Sequence, residues 1–248
     1  KLKKLFFILR VIILKLTQFV QKDLTYGLNM IKEKLMKLNK NFFENFKKRN
    51  INLITIDGIT CSGKSLFANL LRKTLKNKFS DILIISKDLF LFPRNQRIGI
   101  TKKIKNLKNN QNSLHYDLVK LKVLLTFLNS KTAKKFLILK KLYNRKTGKN
   151  NLSLKIHYSK NRLIIFEGIY VNEDIKFLRK PILKILMIEK VYESLSRKIQ
   201  RIRDKKISIQ LVVTEFVKIH LESYKKYLSK NKFDISFEDV ERKFKVVK

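Results

Sequence analysis

The chain has 248 residues, of which 44% are hydrophobic, so it is long enough to bury one substantial core. We therefore expect one globular domain with an appendage. The 58 Lys and Arg residues exceed the 19 Asp and Glu residues by far, which gives a formal net charge of +39. The single cysteine excludes an internal disulfide and a cysteine-only zinc site.

The positive charge would attract polyanions such as nucleic acid or an anionic membrane. Lys greatly outnumbers Arg, however, and the Lys residues are scattered along the whole chain. Nucleic-acid sites instead favour concentrated Arg, because its guanidinium makes bidentate contacts. We interpret the charge as compositional drift and do not expect nucleic acid as a partner. Whether or not the charge results from drift, a positive field would favour the binding of phosphorylated substrates.

Residues 1–50 are predicted to form a basic amphipathic helical extension. The apolar run Leu5–Leu14 carries Arg10 in its middle and is too short to span a membrane. From residue 16 onward, apolar residues such as Leu24 and Leu28 recur at helical spacing between lysines. Membrane-surface contact and organelle targeting by this basic segment are open alternatives, while we expect a cytoplasmic protein.

Residues 51–248 are predicted to form an α/β domain. Short apolar runs typical of buried strands alternate with segments long enough for helical crossovers, which indicates a doubly wound parallel sheet with helices on both faces. A helix is predicted from Ser65 to Leu75, and loops at 106–112 and 144–151. The predicted strands are Ile51–Ile56, Ile82–Ile85, Leu163–Phe166, Ile182–Ile188 and, closing one edge, Phe233–Phe237.

A G-x-x-x-x-G-K-S string begins at Gly58, between the first strand and the first helix. Gly58 and Gly63 let the backbone wrap closely, so that N–H groups and the helix N-terminus face phosphate oxygens. Lys64 would reach the β and γ phosphates, and the Ser65 hydroxyl would bind Mg²⁺. The pattern predicts a P-loop that binds ATP and Mg²⁺, with the ATP-binding residues Gly58, Ile59, Thr60, Cys61, Ser62, Gly63, Lys64, Ser65 and Leu66.

Two acidic residues follow predicted strands, at the edge of the sheet where ligands of parallel sheets bind. Asp88 comes after the second strand and is predicted to accept the proton of an acceptor hydroxyl and to help hold the metal. Glu167 ends the run Leu163–Phe166 and is predicted to lie at the metal. These carboxylates favour phosphoryl transfer over simple phosphate binding.

The motifs that follow the glycine loop resemble those of the uridine kinase and phosphoribulokinase group of P-loop kinases, from about Ile51 to about Val240. Four segments carry the resemblance: Ile85-Ser86-Lys87-Asp88-Leu89-Phe90 is similar to S-x-D-x-F-Y, Leu114-His115-Tyr116-Asp117 to D-H-P-D, Phe166-Glu167-Gly168-Ile169 to F-E-G-I, and Leu195-Ser196-Arg197-Lys198-Ile199 to L-S-R-R-V.

The resemblance implies a role for several residues. Asp88 would be the general base that activates the acceptor hydroxyl, and together with Ser65 and Glu167 it would form the Mg²⁺ shell. Lys64 would be catalytic as well as ATP-binding. Arginines of a basic lid would steady the phosphates as the lid closes: Arg197, Arg201 and Arg203.

The substrate-binding side departs from the family pattern. Tyr143 matches a tyrosine beside the nucleoside base, and for His115 contact with substrate and a structural role both stay open. Leu91 replaces a Tyr, Leu114 replaces an Asp that would bind ribose hydroxyls, and Gly148 stands where these kinases carry a base-reading His. An alkyl group at Leu114 removes hydrogen bonds that ribose would need.

The leading prediction is ATP-dependent, Mg²⁺-assisted phosphoryl transfer to the hydroxyl of a small molecule, with uridine or cytidine as the first substrates to try, by a homo-oligomeric enzyme. Phosphoribulokinase-like or pantothenate kinase-like activity on another alcohol is the nearest alternative. From other classes, a nucleic-acid-binding P-loop ATPase and a membrane-associated regulator that uses the N-terminal helix remain open.

Overall fold

The computed structural model describes residues 52–79, 81–103, 113–129, 135–159, 162–178, 182–202, 209–216, 221–240 and 243–247. The predicted helical extension at 1–50 and the predicted loop at 106–112 lie outside these residues, so both stay predictions. None of the helices among the described residues has the length and hydropathy that a membrane span requires.

The described residues form eight strands and seven α-helices. The strands are β1 Leu53–Gly58, β2 Asp81–Ser86, β3 Phe136–Tyr143, β4 Asn150–His157, β5 Arg162–Gly168, β6 Ile182–Ile188, β7 Ile235–Val240 and β8 Lys243–Val247. The helices are α1 Lys64–Leu75, α2 Arg94–Lys103, α3 Leu118–Asn129, α4 Val171–Asp174, α5 Val191–Ile202, α6 Ile209–Glu215 and α7 Glu222–Lys230. Short 3-10 turns cover Lys87–Phe90 and Ser113–His115.

Six strands form one sheet in the order β2-β5-β1-β6-β7-β8. All neighbouring pairs from β2 to β7 are parallel, and only β8 runs antiparallel to its neighbour. Because β5 lies between β2 and β1, the carboxyl ends of these three strands meet at one edge. In the register, Ser86 stands opposite Glu167, and Asp57 stands opposite Gly168.

Helices cover both faces of the sheet, as predicted. On one face, Ile54 and Ile56 of β1 pack with Phe67 and Leu71 of α1 in one buried cluster. On the other face, Phe166 of β5 packs in a second cluster with α3. Each large apolar side chain fully buried in this way contributes roughly 1.5–3 kcal/mol. The continuous apolar runs of the sequence are therefore explained by strands that are buried on both sides.

Two predictions about the edges and loops need correction. The strand predicted at Phe233–Phe237 to close one edge of the sheet is β7. It is not the edge strand, because β8 pairs with its outer side and forms the edge. The loop predicted at 144–151 is a hairpin turn only up to residue 149, since Asn150 and Asn151 begin β4.

The hairpin of β3 and β4 was not predicted. Lys140 and Lys141 interrupt the apolar run of β3, and the pairing register shifts here between Leu139 and Leu142. Lys141 has φ 56°, a left-handed conformation that marks the irregularity. Leu139 and Leu142 of the hairpin nevertheless pack in the same buried cluster as α3. The hairpin therefore packs beside the sheet, and its turn lies near the edge at which β1, β2 and β5 end.

Candidate active site

The glycine loop connects β1 to α1 and depends on both of its glycines. A Cβ atom on Gly58 would lie 2.5 Å from Ser62 Oγ and 2.9 Å from the Met187 carbonyl oxygen, so no side chain fits there. Gly63 has φ 82°, which favours glycine, and its carbonyl accepts the N–H of Phe67 at 2.9 Å. The first turn of α1 contains no acidic residue, so the positive end of the helix dipole is available to an anion.

Lys64 is folded back onto this loop. Its Nζ donates to the carbonyls of Gly58 at 2.9 Å and Ile59 at 2.7 Å. Burial lowers the pKa of Lys64, while the nearby charges of Glu167, Asp88 and Asp57 oppose that shift. A bound phosphate would supply further negative charge and would favour the ammonium form of Lys64.

Ser65 and Glu167 meet next to the loop. The Ser65 hydroxyl donates to Glu167 Oε1 at 3.1 Å, and the Glu167 side chain is buried. The pair forms because β5 lies directly beside β1, which carries the carboxylate to the first turn of α1. A hydroxyl and a carboxylate beside a phosphate cradle are the oxygen ligands that Mg²⁺ prefers. These residues therefore fit the predicted metal.

Asp88 lies on the 3-10 turn Lys87–Phe90, directly after β2. Its Oδ2 is 3.4 Å from Nη2 of Arg145, which comes from the turn between β3 and β4. The charges of Asp88 and Glu167 both act to raise the pKa of Lys64, so both predicted carboxylates lie within electrostatic reach of that ammonium. The structure thus brings Lys64, Ser65, Glu167 and Asp88 to one edge of the sheet. The roles assigned to them stay predictions.

A buried ion pair holds the turn that carries Asp88. Lys87 Nζ lies 2.7 Å from Asp174 Oδ2, with the two side chains only 4% and 12% exposed. The same ammonium lies 4.7 Å from the centre of the Tyr116 ring. Burial raises the pKa of Asp174 to about 6, although the charge of Lys87 acts against that rise. Lys87 belongs to a motif that the sequence analysis quoted. No feature of the sequence predicted that Asp174 would pair with it.

We predict that Lys87→Met destabilises the protein more at pH 8 than at pH 5. At pH 5 Asp174 is already mostly protonated in the folded state, so the pair is largely lost. Between pH 5 and 8 Asp174 ionises, and without Lys87 its buried charge is unpaired, which costs about 3 kcal/mol. Urea denaturation at both pH values measures the difference.

Lys120→Met is the matched control, since Lys120 Nζ also lies 2.7 Å from its carboxylate, that of Asp117, but at a more exposed position. Burial raises the pKa of Asp117, but hydrogen bonds and charge from Lys120 outweigh it and lower the pKa overall. Asp117 is therefore ionised at both pH values, and this variant should lose less than about 1 kcal/mol at each. Equal losses at pH 5 and pH 8 for Lys87→Met would contradict the prediction.

Asp57 is a buried carboxylate at the start of the loop, and its contacts could not be predicted from the sequence. Its Oδ1 accepts the N–H of Gly58 at 2.8 Å and that of Tyr170 at 3.2 Å. The Tyr227 hydroxyl donates to Oδ2, and the Tyr224 hydroxyl donates to Oδ1 at 3.5 Å. Burial raises the pKa of Asp57, against the hydrogen bond from Tyr227 and the charge of Lys64. The carboxylate thus ties α7 to the start of the glycine loop.

The start of α5 also contacts the loop. The Ser194 hydroxyl donates to the Thr60 carbonyl. Arg197 donates to the Cys61 carbonyl at 3.4 Å and pairs with Glu189 and Glu193. Of the predicted lid arginines, Arg197 therefore reaches the loop, whereas Arg201 is exposed on the same helix. Arg203 lies outside the described residues, so its role stays a prediction.

The predicted substrate-binding residues lie on the side of Asp88. Tyr143 is buried, and its hydroxyl accepts Nη2 of Arg97 at 2.8 Å. His115 is half-buried, and its carbonyl accepts the N–H of Phe92 at 2.9 Å. Leu114 is exposed. The structure therefore gives Tyr143 a clear partner in Arg97, a residue that the sequence analysis did not single out.

The remaining loop residues fall into two groups. Ile59, Cys61 and Ser62 are buried, and Cys61 is a free thiol. Leu66 is exposed on the first turn of α1, and Thr60 is half-buried.

Comparisons with known proteins give one partial family match and several solved structures with a similar fold. A family profile described as "Chromatin associated protein KTI12" matches residues 51–125, which is less than half of the chain. No curated protein sequence matches. Among solved structures, the YGR205w protein is similar with a TM-score of 0.58 and 18% identity over 89% of this chain and 97% of that one.

Two further solved structures are similar at lower scores. A candidate fructose transport system kinase from Silicibacter sp. has a TM-score of 0.51 and 15% identity over 74% of this chain and 86% of its own. A D-glycerate 3-kinase from Cryptococcus neoformans has a TM-score of 0.50 and 11% identity over 76% of this chain and 85% of its own. At these identities the likeness concerns the fold. The chain therefore shares the fold of these proteins, and the doubly wound α/β fold predicted from the sequence is confirmed.

Proposed function

We propose that this protein transfers the γ-phosphoryl group of ATP, with Mg²⁺, to a hydroxyl group of a small molecule. The observation that carries the proposal is the contact of Ser65 with Glu167 beside Lys64 on a glycine loop, with the Asp88 carboxylate within electrostatic reach of Lys64. A phosphate-binding protein without transfer activity would not need a second carboxylate at this edge.

The phosphate donor would be held by the loop and by Lys64. Backbone N–H groups of the loop and of the first turn of α1 would bind the phosphate oxygens, and Lys64 would move its ammonium from the loop carbonyls to the β and γ phosphates. Ser65 and Glu167 would hold Mg²⁺, which neutralises charge on the phosphates when it is bound. Arg197, which already contacts the loop backbone, would stabilise the transferring group.

Asp88 would act on the acceptor. Its carboxylate would take the proton of the attacking hydroxyl as the new oxygen–phosphorus bond forms and the bond between the γ-phosphorus and its bridging oxygen breaks, so that ADP leaves. The buried pair of Lys87 and Asp174 would keep the turn in place during this step. Most of the catalysis would come from positioning and from charge stabilisation.

Uridine and cytidine are the first acceptors to test, because the motifs resemble those of uridine kinases. Leu114 and Gly148 offer no side-chain hydrogen bonds to a nucleoside at the corresponding positions, which keeps other alcohols open. Phosphoribulokinase-like and pantothenate kinase-like activities are the nearest of these.

The test is a coupled assay of ADP release over a panel of nucleosides, pantothenate and sugar phosphates, with Lys64→Ala as the blank. We expect ADP release that requires both Mg²⁺ and one acceptor class, and that falls to background in Lys64→Ala. The reason is that removing the ammonium leaves the β and γ phosphates without their cation. Acceptor-independent ATP consumption by the wild-type protein would contradict a kinase.

A second candidate function is a nucleic-acid-stimulated ATPase, in which the net charge of +39 would serve binding instead of being compositional drift. ADP release measured with and without RNA or DNA separates the two functions. Stimulation by nucleic acid without any small acceptor would support this candidate over the kinase.

A further inference from the structure

We propose that Asp57 is a positioning residue, which holds the glycine loop and the segment after Glu167 in a fixed relation and couples both to helix α7. The inference rests on the proposed function, because its measured consequence is the binding of Mg·ATP. It goes beyond that function by giving α7 a role in the reaction. The residues that carry it are Asp57, Tyr170, Tyr224 and Tyr227, which we call the Asp57 cluster.

One oxygen of Asp57 binds two backbone segments. Asp57 is the residue directly before the glycine loop, and its side chain is buried. Its Oδ1 accepts the N–H of Gly58 at 2.8 Å and the N–H of Tyr170 at 3.2 Å. Gly58 begins the loop that would hold the phosphates, and Tyr170 comes three residues after the predicted metal ligand Glu167. The spacing between these two parts of the site therefore depends on this carboxylate.

Tyr170 adopts a backbone conformation that needs support from its neighbours. Its φ is 62°, in the left-handed region that is uncommon for residues other than glycine. Such conformations persist where the surrounding contacts determine them. The N–H bond to Asp57 is one of these contacts. Edge-on packing of the Tyr170 ring against Tyr224 and Tyr227, with ring centroids at 5.6 and 4.9 Å, is another. The backbone after Glu167 therefore depends on the Asp57 cluster.

Helix α7 supplies hydroxyl donors to the same carboxylate. The Tyr227 hydroxyl donates to Oδ2, and the Tyr224 hydroxyl donates to Oδ1 over a longer distance, 3.5 Å. Both tyrosines are buried. Burial and the charge of Asp57 raise the pKa of each hydroxyl, so both stay protonated and remain donors. Backbone and hydroxyl donors together satisfy a buried carboxylate that would otherwise be costly.

The Gly58 backbone is bonded on both sides. Its N–H donates to Asp57, and its carbonyl accepts Lys64 Nζ at 2.9 Å. In the proposed mechanism Lys64 moves its ammonium from the loop carbonyls to the phosphates, whereas the bond to Asp57 would persist. Asp57 would thus keep the first residue of the loop in place at the step in which Lys64 leaves it.

The loop and α7 also share apolar packing. Their buried side chains belong to one cluster: Ile59, Tyr170, Leu186, Phe216, Tyr224 and Tyr227. Elements that share contacts in this way order each other, and a coupling free energy between two sites is reciprocal. A ligand that orders the loop is therefore expected to stabilise α7. By the same reasoning, loss of the Tyr227 hydroxyl is expected to weaken binding of that ligand.

The variant Tyr227→Phe tests the role of the cluster in binding. It removes the hydroxyl from Oδ2 and keeps the ring in the apolar cluster. We expect the Kd for Mg·ADP, measured by calorimetry, and the KM for Mg·ATP to rise about tenfold. We expect kcat to change less than about twofold, because saturating nucleotide restores the arrangement of the loop.

Tyr158→Phe is the control, because it removes the hydroxyl of an exposed tyrosine directly after β4. Its Kd and KM should equal those of the wild-type protein. A lower kcat with unchanged Kd and KM in Tyr227→Phe would indicate only a loss of active protein, as expected of a purely structural residue, and would overturn the inference. No change in any of the three constants would overturn it as well.

Hydrogen exchange tests the coupling on the unmodified protein. Saturating Mg·ADP should slow amide exchange of α7, Glu222–Lys230, at least about fivefold. In Tyr227→Phe, again at saturating nucleotide, the slowing should be less than about twofold. Unchanged exchange in wild-type α7, or equal slowing in both proteins, overturns the inference even if the acceptor panel shows turnover. Slowing that is lost in Tyr227→Phe supports it even if no acceptor is phosphorylated, a result that would contradict the kinase function alone.

Discussion

Replacing Asp88 with Asn is expected to lower kcat by about 10²- to 10⁴-fold while the Kd for ATP changes less than about twofold. The substitution keeps the shape of the side chain but removes its ability to accept a proton. Asp88 lies on the turn after β2 and beside Arg145, outside the loop that would hold the phosphates, so we expect donor binding to depend little on it. Steady-state ADP release and fluorescence titration with an ATP analogue measure the two quantities.

Asp81→Asn is a close control for this experiment. Asp81 starts the same strand that Asp88 follows, its side chain is also 36% exposed, and it is also paired with an arginine, Arg162. It differs in lying at the opposite end of β2 from the loop. Turnover of Asp81→Asn should stay close to wild type. If Asp88→Asn kept more than half of wild-type turnover, Asp88 would not be the general base.

Replacing Glu167 with Gln is expected to raise the Mg²⁺ concentration needed for half-maximal activity by at least about 10- to 100-fold. The amide keeps a hydrogen bond partner for Ser65 but withdraws the negative charge from the metal position. The effect should be large because Glu167 is only 4% exposed, so water replaces its charge poorly. Activity at saturating ATP is measured as Mg²⁺ is varied.

Glu173→Gln removes an exposed carboxylate a few residues further along the chain and should leave the Mg²⁺ requirement unchanged. Ser65→Ala, the partner change, should shift the requirement in the same direction as Glu167→Gln, because the two side chains contact each other. An unaltered Mg²⁺ dependence in both Ser65→Ala and Glu167→Gln would exclude this pair as the metal site.

The sequence was most informative where one residue type is physically required. Gly58 and Gly63 predict the loop because no side chain fits at the first position and the second has positive φ. The buried strands followed from apolar runs that need cover on both faces. The hairpin escaped prediction because Lys140 and Lys141 break the pattern of β3, and only the packing of its other residues against α3 reveals it.

Contacts between distant residues limited what could be predicted of the site. Ser65 and Glu167 were each predicted as metal ligands from local motifs, and the sheet order then brought them together. The pairs Lys87 with Asp174 and Arg145 with Asp88 join segments far apart in the chain. Asp88 was predicted from its position after a strand, but no local pattern of charge or hydrophobicity identifies its partner Arg145, or distinguishes Lys87 and Asp174 from solvated surface residues in so basic a sequence.

The tyrosines of α7 bear on how far the glycine motif can be regarded as a self-contained module. Tyr224 and Tyr227 lie 167 and 170 positions after Asp57, yet they bind the carboxylate that holds the N–H of Gly58. A segment transplanted with the loop and its flanking strand and helix would leave that buried carboxylate without its hydroxyl donors. The order of the nucleotide loop is therefore encoded near both ends of the domain, and chimeras or shortened variants must keep both ends to keep the loop.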